Sequence, residues 1–282
     1  IMLNVGKYRG RNLSGFRTFN TAKYFAEITS PQDAVEAFGF ACEKKLQAFV
    51  LGGGSNVFSK NTRIKSFILR NKLPKEIKYL GGDRFVISSS VSMIELLKYM
   101  YAQSRECCYY LASAPCQVGG AIAMNAGSGI AENRTISDYI ESVSFVEGVR
   151  GIFSKRKPEL GFSYRKSFFS DRNDVFITSA VFKFPKTEFA ENPISARLEW
   201  AKKNQDLTAP NCGSLCNLYD ARIMSFTRSM FRCMPAGISK KKLNWAYNNA
   251  KNPIALRMCL ATLTMLHRIF GKKIKYEIKI IE

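Results

Sequence analysis

Apolar residues at helical spacing predict four helices along the chain. The first begins at Pro31, with Ser30 in the N-cap position, and ends near Leu46. The other three are predicted at residues 93–103, 196–204 and 253–270. Gly271 follows the last of them and suits the left-handed residue that ends many helices.

Short apolar runs predict the strands. Residues 175–184 alternate between apolar and polar side chains, as a sheet strand does, and Pro185 ends the run. Residues 274–280 also alternate, which predicts a single terminal strand with Ile274, Tyr276, Ile278 and Ile280 on one face. The remaining strands are predicted at residues 48–51, 68–69, 85–87, 142–146 and 149–153.

These elements predict an α+β fold with three lobes. Residues 1–75, together with the C-terminal strand 272–282, form the first lobe. Residues 76–188 form the second lobe and residues 189–271 the third. No internal repeat or low-complexity segment interrupts this order.

The chain is strongly basic. Its 43 Lys and Arg residues exceed its 22 Asp and Glu residues by 21, and such a charge attracts nucleic acid, anionic lipid or phosphorylated small molecules. The basic residues do not interleave with stacking aromatics, so a soluble basic surface and an RNA or ribonucleoprotein partner both stay open. No apolar run is long enough for a membrane span, and the first ten residues lack the apolar core of a secretory signal. These features predict a cytoplasmic location or another reducing compartment.

The eight cysteines are predicted to be free thiols, because a long chain without a secretory signal rarely carries a disulfide framework. Cys212 and Cys216 have no second cysteine pair or neighbouring histidine to complete a zinc site. The only histidine, His267, lies in an apolar helical run and is predicted to pack there. We therefore expect no metal site.

A glycine-rich loop follows the predicted strand at residues 48–51. Glycines allow positive φ angles and close backbone approach, and successive N–H groups in such a loop can surround a phosphate. The loop lacks the GK[ST] of a Walker motif and a complete GxGxxG. A phosphate site and a simple tight turn both fit its residues, which are Gly52, Gly53, Gly54, Ser55 and Asn56.

A second run of small residues spans residues 118–127, VGGAIAMNAG. A linker would be polar, so a run of small and mostly apolar residues indicates backbone lying against a large flat ligand. The Asn125 amide would be available for hydrogen bonds. The alternative is close packing of a helix on a sheet. The residues concerned are Val118, Gly119, Gly120, Ala121, Asn125, Ala126 and Gly127.

Six ordered blocks along the chain resemble the UDP-N-acetylenolpyruvoylglucosamine reductase family, also called MurB. The first two are TF with AKYF at residues 18–25 and LGGGSN at residues 51–56. The next are Pro115 with residues 118–127, and FSYRKSFF at residues 162–169. The last are Gln205 with PNCGS at residues 210–214, and FG with EIKII at residues 270–281.

The resemblance implies a flavoprotein with a split FAD-binding fold, in which the first two lobes hold FAD and the third covers the substrate. It implies reduction of the enolpyruvyl ether of a UDP-amino sugar to the lactyl ether, with NADPH as the reductant. The implied FAD contacts are Gly52, Gly53, Gly54, Ser55, Asn56, Pro115, Val118, Gly119, Gly120, Ala121, Asn125, Ala126 and Gly127.

The resemblance also implies the catalytic residues. Ser214 would donate a proton, Arg165 would hold the substrate carboxylate, and Glu277 would act on the other side. Hydride addition to an enol ether builds enolate-like charge, so a stabilising group and a proton donor are what the chemistry requires. Taken singly, each residue could instead be a turn cap, a surface ion pair or a solvated carboxylate. Tyr164 and Gln205 are the implied substrate contacts.

Several family positions are altered. Cys116 and Gln117 replace a glycine and a Ser or Thr, which puts a thiol where backbone should approach the FAD pyrophosphate. Residues 215–218, LCNL, replace an aromatic pair and a lysine, and residues 239–248 lack the family's histidine. The 49-residue interval from Arg165 to Ser214 resembles the subtype with a short substrate-covering segment.

These changes leave three functions open. The chain could be a divergent enzyme with the family's substrate, or a relative that reduces another nucleotide sugar or enol ether. It could also be a non-catalytic relative recruited as a basic scaffold or ribosome-associated subunit.

Overall fold

The computed structural model describes residues 3–128 and 134–282, and these form two compact units. The first unit contains Phe25–Gly53 and Phe67–Trp200 with the N-terminal residues up to Gly6. The second contains Lys7–Tyr24, Gly54–Ser66 and Ala201–Glu282. Helices and strands are mixed in both units, which confirms the predicted α+β class.

Six α-helices and sixteen strands are present in the described residues. The helices are α1 (Pro31–Glu43), α2 (Met93–Ala102), α3 (Val118–Ala123), α4 (Pro193–Asn204), α5 (Ala221–Met230) and α6 (Ile254–Ile269). The first eight strands are β1 (Gly6–Gly10), β2 (Asn20–Ile28), β3 (Ala48–Leu51), β4 (Val57–Ser59), β5 (Arg63–Ile64), β6 (Phe67–Asn71), β7 (Ile77–Gly81) and β8 (Arg84–Ser88). The others are β9 (Ile140–Glu147), β10 (Ile152–Arg156), β11 (Val175–Lys183), β12 (Cys216–Leu218), β13 (Ala236–Ile238), β14 (Ala246–Asn248), β15 (Lys275–Tyr276) and β16 (Lys279–Ile281).

Parallel strands and one helix open the first unit. The second half of β2 and the whole of β3 pair in parallel with β6. Between β2 and β3, α1 begins with a capping box in which the Ser30 hydroxyl accepts from the Asp33 N–H and the Asp33 carboxylate accepts from the Ser30 N–H. The helix buries Ala34, Ala37, Phe38 and Ala41, so its apolar stripe covers one side of this small sheet.

An antiparallel sheet completes the first unit, with the strand order β10-β9-β11-β8-β7. Its core side chains include Phe145, Phe182 and Phe184, all fully buried. The helices α2 and α3 pack on the same core through Leu96, Leu97, Val118 and Ile122. This sheet therefore provides a rigid support for α3 and the small residues around it.

The second unit is built from short strand pairs and two helices. The pairs are β4 with β16 in parallel, and β12 with β15 and β13 with β14 antiparallel. The helices α5 and α6 bury Met224, Leu256, Cys259 and Leu263. No helix in residues 3–128 and 134–282 is long and apolar enough to cross a membrane.

His267 is buried inside α6, as predicted, and it also has a polar role. Its Nδ1 pairs with the carbonyl of Leu263, and its Nε2 accepts a hydrogen bond from the Asp220 N–H. Asp220 is the N-cap of α5, where its carboxylate accepts from the N–H groups of Arg222 and Ile223. The histidine therefore fixes the start of α5.

Two strand predictions were wrong. The strand expected at residues 149–153 begins only at Ile152, because residues 148–150 form a 3-10 turn and Gly151 has a φ of 101°. The terminal strand expected from Ile274 to Ile280 is broken into β15 and β16, which pair with different partners. The break moves burial from Ile280 to Ile281. The three-lobe boundaries stay a prediction.

Candidate functional site

The first half of the glycine-rich loop lies against the segment before α3. A Cβ added to Gly53 would come within 3.0 Å of the Pro115 carbonyl oxygen, and one added to Gly52 within 3.1 Å of the Gln117 Oε1. Side chains at these two positions would fill this space. The structure therefore brings together two of the predicted cofactor segments, which lie about sixty residues apart in sequence.

Cys116 lies within this segment and is partly buried. Its side chain packs against the apolar core of the first unit, and its carbonyl accepts from the Met93 N–H at the start of α2. Burial raises the pKa of the Cys116 thiol to about 12. The thiol is therefore neutral at pH 7 and would not repel a phosphate.

Gln117 is a functional candidate that the sequence analysis treated only as a departure. It stands directly before α3, and its Oε1 is buried with no hydrogen-bond partner among the described residues. Leaving a buried polar atom unpaired costs about 1–3 kcal/mol, so such an atom is a candidate for contact with a bound group. Its place beside Gly52 is a contact between distant parts of the chain, so no sequence pattern could have indicated it.

The two glycines of α3 differ in their surroundings. A Cβ on Gly119 would lie 2.8 Å from the Ser89 Cβ, and the Gly119 N–H donates to the Ser89 carbonyl at 2.9 Å. Gly120 is exposed and has nothing within 4 Å of its added Cβ. Gly119 is thus explained by close packing of a helix on a sheet, whereas Gly120 leaves backbone open to a ligand. Val118 and Ala121 are buried beneath it.

The residues after α3 form a tight turn that is held internally. The Asn125 Nδ2 donates to the Ser163 carbonyl at 2.9 Å, and its Oδ1 accepts from the Ser137 N–H at 3.4 Å. Ala126 N–H donates to the Ala121 carbonyl, and a Cβ on Gly127 would overlap the Arg134 carbonyl oxygen. These contacts account for the small residues locally, and contact of Asn125, Ala126 and Gly127 with a cofactor stays a prediction.

Arg165 lies beside this turn. Its backbone has a φ of 54° within a tight pair of hydrogen bonds between Ser163 and Lys166. The Arg165 Nη2 donates to the Gly127 carbonyl at 3.2 Å, and its guanidinium lies 5.5 Å from the centre of the Tyr164 ring. The Tyr164 side chain is partly exposed. The structure therefore places Arg165, the predicted carboxylate-binding residue, and Tyr164, a predicted substrate contact, at the end of the predicted cofactor segment, all within the first unit.

The second half of the glycine-rich loop belongs to the second unit. Gly54 has a φ of 70°, and a Cβ there would overlap the Leu13 carbonyl oxygen. Next to Ser55, the Asn56 Nδ2 donates to the Glu277 carbonyl at 3.0 Å, and the Asn56 carbonyl accepts from the Lys279 N–H at 2.9 Å. This side chain therefore ties the loop to the C-terminal segment.

In the second unit, the backbone next to Ser214 is bonded to the backbone of Glu277. The Glu277 N–H donates to the carbonyl of Leu215, the residue after Ser214, at 2.9 Å. Ser214 follows Gly213, which has a φ of 73°, and forms an isolated β-bridge with Trp245. Burial, and then the Glu277 charge, raise the pKa of the neighbouring Cys216 thiol to about 12. The predicted proton donor and the predicted acid are thus held by one backbone arrangement.

Two asparagines that the sequence analysis did not single out hold the loop around Ser214. The Asn211 Oδ1 accepts from the Gly213 N–H, and its Nδ2 donates to the carbonyls of Asp206 and Ala209. The Asn244 side chain donates to the carbonyl of Cys216 and accepts from its N–H. Asn211 lies in the PNCGS block that resembles the family, which was an available signal, whereas Asn244 lies in residues 239–248, where the chain departs from the family.

Gln205 follows α4, and its N–H donates to the Ala201 carbonyl. The next residue, Asp206, accepts hydrogen bonds from the Ser239 hydroxyl at 2.5 Å and the Thr208 hydroxyl at 2.6 Å. Although burial acts to raise the pKa of Asp206, these hydroxyls hold it below its ordinary value. Gln205 thus begins a loop fixed by Asp206, while its contact with a substrate stays a prediction.

All eight cysteines, which lie within the described part of the chain, are unpaired. In the same residues, no three His, Cys, Asp or Glu side chains are grouped as metal ligands.

The chain resembles known proteins over most of its length. A family model described as an FAD binding domain matches residues 22–152. The UDP-N-acetylenolpyruvoylglucosamine reductase of Aquifex aeolicus (strain VF5) is 26% identical over 281 residues, which cover 96% of this chain and 93% of that protein. That of Chlamydia felis (strain Fe/C-56) is 29% identical over 210 residues, which cover 73% of this chain and 69% of that protein.

The fold agrees with these relatives. The crystal structure of the Thermus caldophilus UDP-N-acetylenolpyruvylglucosamine reductase (MurB) has a TM-score of 0.74 to this chain, with 18% sequence identity, and covers 99% of this chain and 100% of that one. The chain therefore resembles the MurB reductases in sequence over most of its length and shares their fold. These relatives and the matched FAD-binding segment support the prediction of an FAD-dependent reductase. The matched FAD-binding segment contains both glycine-rich runs, whereas Arg165, Ser214 and Glu277 lie outside it.

Proposed function

We propose that this chain reduces the enolpyruvyl ether of UDP-N-acetylglucosamine enolpyruvate to the lactyl ether of UDP-N-acetylmuramate, with NADPH as the reductant. The observation that carries the proposal is the backbone bond from the Glu277 N–H to the carbonyl of Leu215, the residue after Ser214. The names of the relatives from Aquifex aeolicus and Chlamydia felis support the same reaction.

The residues in the first unit fit FAD. The open backbone at Gly120 suits a large group lying on the chain, and the lack of side chains at Gly52 and Gly53 lets the glycine-rich loop lie against the segment before α3. The orphaned Gln117 amide offers a hydrogen bond, because its oxygen and nitrogen exchange by a simple rotation. The chemistry that FAD supplies when bound is hydride transfer.

The remaining steps fall to residues of the chain. Arg165 would bind the substrate carboxylate, since a guanidinium is always charged and matches a carboxylate in shape. Ser214 would give its proton to the carbon beside that carboxylate, while Glu277 would polarise the substrate or help its protonation from the other side. A neutral Cys216 leaves the Glu277 carboxylate without a second negative charge beside it.

Replacement of Ser214 by alanine tests the proposal. We expect product formation to fall by about 10²–10⁴-fold, because that is the usual contribution of a positioned proton donor, while NADPH still reduces the flavin. The first is measured by chromatography of the product and the second by loss of the flavin's yellow absorption in a stopped-flow cell.

The matched control is Ser229→Ala on α5, which removes a serine hydroxyl bonded to the Ser225 carbonyl. It should keep wild-type turnover. Equal turnover in Ser214→Ala would remove the serine from its role, and protein that takes up no FAD would overturn the proposed reaction as a whole.

A further inference from the structure

The helix α6 has apolar side chains on two opposite faces. One face is buried and includes Leu256, Cys259, Leu260 and Leu263. The other carries Ile254, Met258, Met265 and Ile269, each at least half exposed. Their spacing of four, seven and four residues places them in one stripe along the helix. An exposed stripe of large apolar side chains is typical of a surface that binds a membrane or another molecule.

The same stripe is bordered by positive charge. Arg257 and Arg268 are exposed, and their positions along α6 place them on one edge of the stripe. Lys272 and Lys273 follow the exposed Phe270, with only Gly271 between them. A helix with an apolar stripe and adjacent basic residues is the usual form of a helix that lies in a membrane interface.

The charge of the chain is concentrated around this helix. Residues 221–276 carry twelve Lys and Arg residues and no Asp or Glu. They are one fifth of the chain and supply twelve of its 21 net positive charges. In the preceding helix, α5, Phe226 and Met230 are also more than half exposed, near Arg222. Positive charge and exposed apolar area thus occur in the same segment.

We propose that the exposed stripe of α6 docks on the surface of an anionic lipid membrane. Aliphatic and methionine side chains gain free energy when they enter the acyl boundary of a bilayer, and the arginines and lysines gain from acidic headgroups. A nucleic acid would satisfy the charges but not the stripe, which contains no aromatic ring to stack on a base. The combination therefore selects a lipid surface over RNA. The inference is independent of the proposed reaction.

Sedimentation of the full-length chain with vesicles tests the proposal. The chain should sediment with vesicles of equal parts phosphatidylcholine and phosphatidylglycerol, and much less with phosphatidylcholine alone. Raising the salt should weaken the binding without abolishing it, because the apolar part is not screened. Absence of binding to the acidic vesicles at low salt would overturn the proposal.

Two double variants separate the apolar and charged contributions. Met258→Ser with Met265→Ser should lower the partition coefficient by about tenfold or more, from the apolar area that no longer enters the bilayer. Val149→Ser with Ile152→Ser, at similarly exposed positions of the first unit, should leave it unchanged. Arg268→Gln with Lys273→Gln should weaken binding mainly at low salt, whereas Lys78→Gln with Lys98→Gln in the first unit should have a smaller effect.

The pattern of these results decides between lipid and polyanion. Binding that ignores the methionine variant, or that a single-stranded RNA of equal charge removes completely, would show a purely electrostatic surface and contradict lipid docking. Circular dichroism and urea unfolding of each variant confirm that it is folded before it is compared.

Discussion

The start of α3 in the first unit and residues 211–218 in the second are held by different means. At the start of α3, Gly52, Gly53 and Gly119 let backbone and side chains approach within about 3 Å of positions where a Cβ would lie. Around Ser214, the amides of Asn211 and Asn244 bond the backbone of the loop. Added side-chain atoms should therefore destabilise the first region, whereas the loss of hydrogen bonds should destabilise the second.

The largest expected effect comes from Gly119→Val. The new side chain would meet the Cβ of buried Ser89, in the turn that directly follows β8, and overpacking of this kind costs about 3 kcal/mol. The free energy of unfolding from urea titration measures the loss. Gly120→Val is the matched control, because nothing lies within 4 Å of its Cβ and valine costs no more than glycine in a helix. Equal losses in the two variants would mean that close packing does not distinguish these glycines.

Asn244→Leu tests the second region. It leaves the N–H and the carbonyl of Cys216 without their partners, which should lower the free energy of unfolding by about 2 kcal/mol. Turnover should fall as well, because the loop carries Ser214. Asn249→Leu, at an exposed asparagine, should change neither quantity. A fully stable Asn244→Leu protein would show that the amide does not hold the loop.

The effect that is smallest near neutral pH is a pH dependence from buried thiols. Burial raises the pKa of Cys259 to about 12, as it does for Cys216. Above the pKa of an unfolded thiol, about 8.5, the unfolded chain releases a proton that the folded chain keeps. The free energy of unfolding therefore falls as the pH rises from there towards 12, by about 1.4 kcal/mol per pH unit for each such thiol.

Urea titrations between neutral and alkaline pH measure this slope. Cys259→Ala should reduce it by the share of one thiol, and the exposed Cys42→Ala is the matched control. A slope that is the same in both variants and the wild type would contradict the proton release assigned to Cys259.

Local signals predicted much of the fold. The Ser30 cap, the apolar spacing of α1 and α6, and Gly271 at a φ of 61° all depend on residues near each other in sequence, and the structure has them as predicted. The terminal strand was mispredicted because alternation cannot show that Ile281, rather than Ile280, reaches the core. Short strands such as β13 and β14 carry too few residues for a periodic pattern.

The candidate site, like the fold, could be predicted from sequence only in part. The ordered blocks indicated Ser214, Arg165 and Glu277, and the structure adds the bond between Glu277 and Leu215. The sequence could not show which glycine of the run 118–127 is closely packed and which is open. Gly119 and Gly120 are identical residues, and they differ only in that Ser89 lies against Gly119. The inward packing of Cys116 is likewise a tertiary effect, invisible in a comparison of residue types.

The pairing of β16 with β4 has a consequence for synthesis. Residues 57–59 and the Asn56 amide find their partners only at residues 277–281, and a ribosome makes the chain from the N-terminus at roughly 5–20 residues per second. Asn56 and β4 therefore stay without these partners until more than two hundred further residues have left the ribosome. A nascent chain that stops before β16 would lack the last strand of the second unit. Cellular quality control would therefore treat it as an incompletely folded protein.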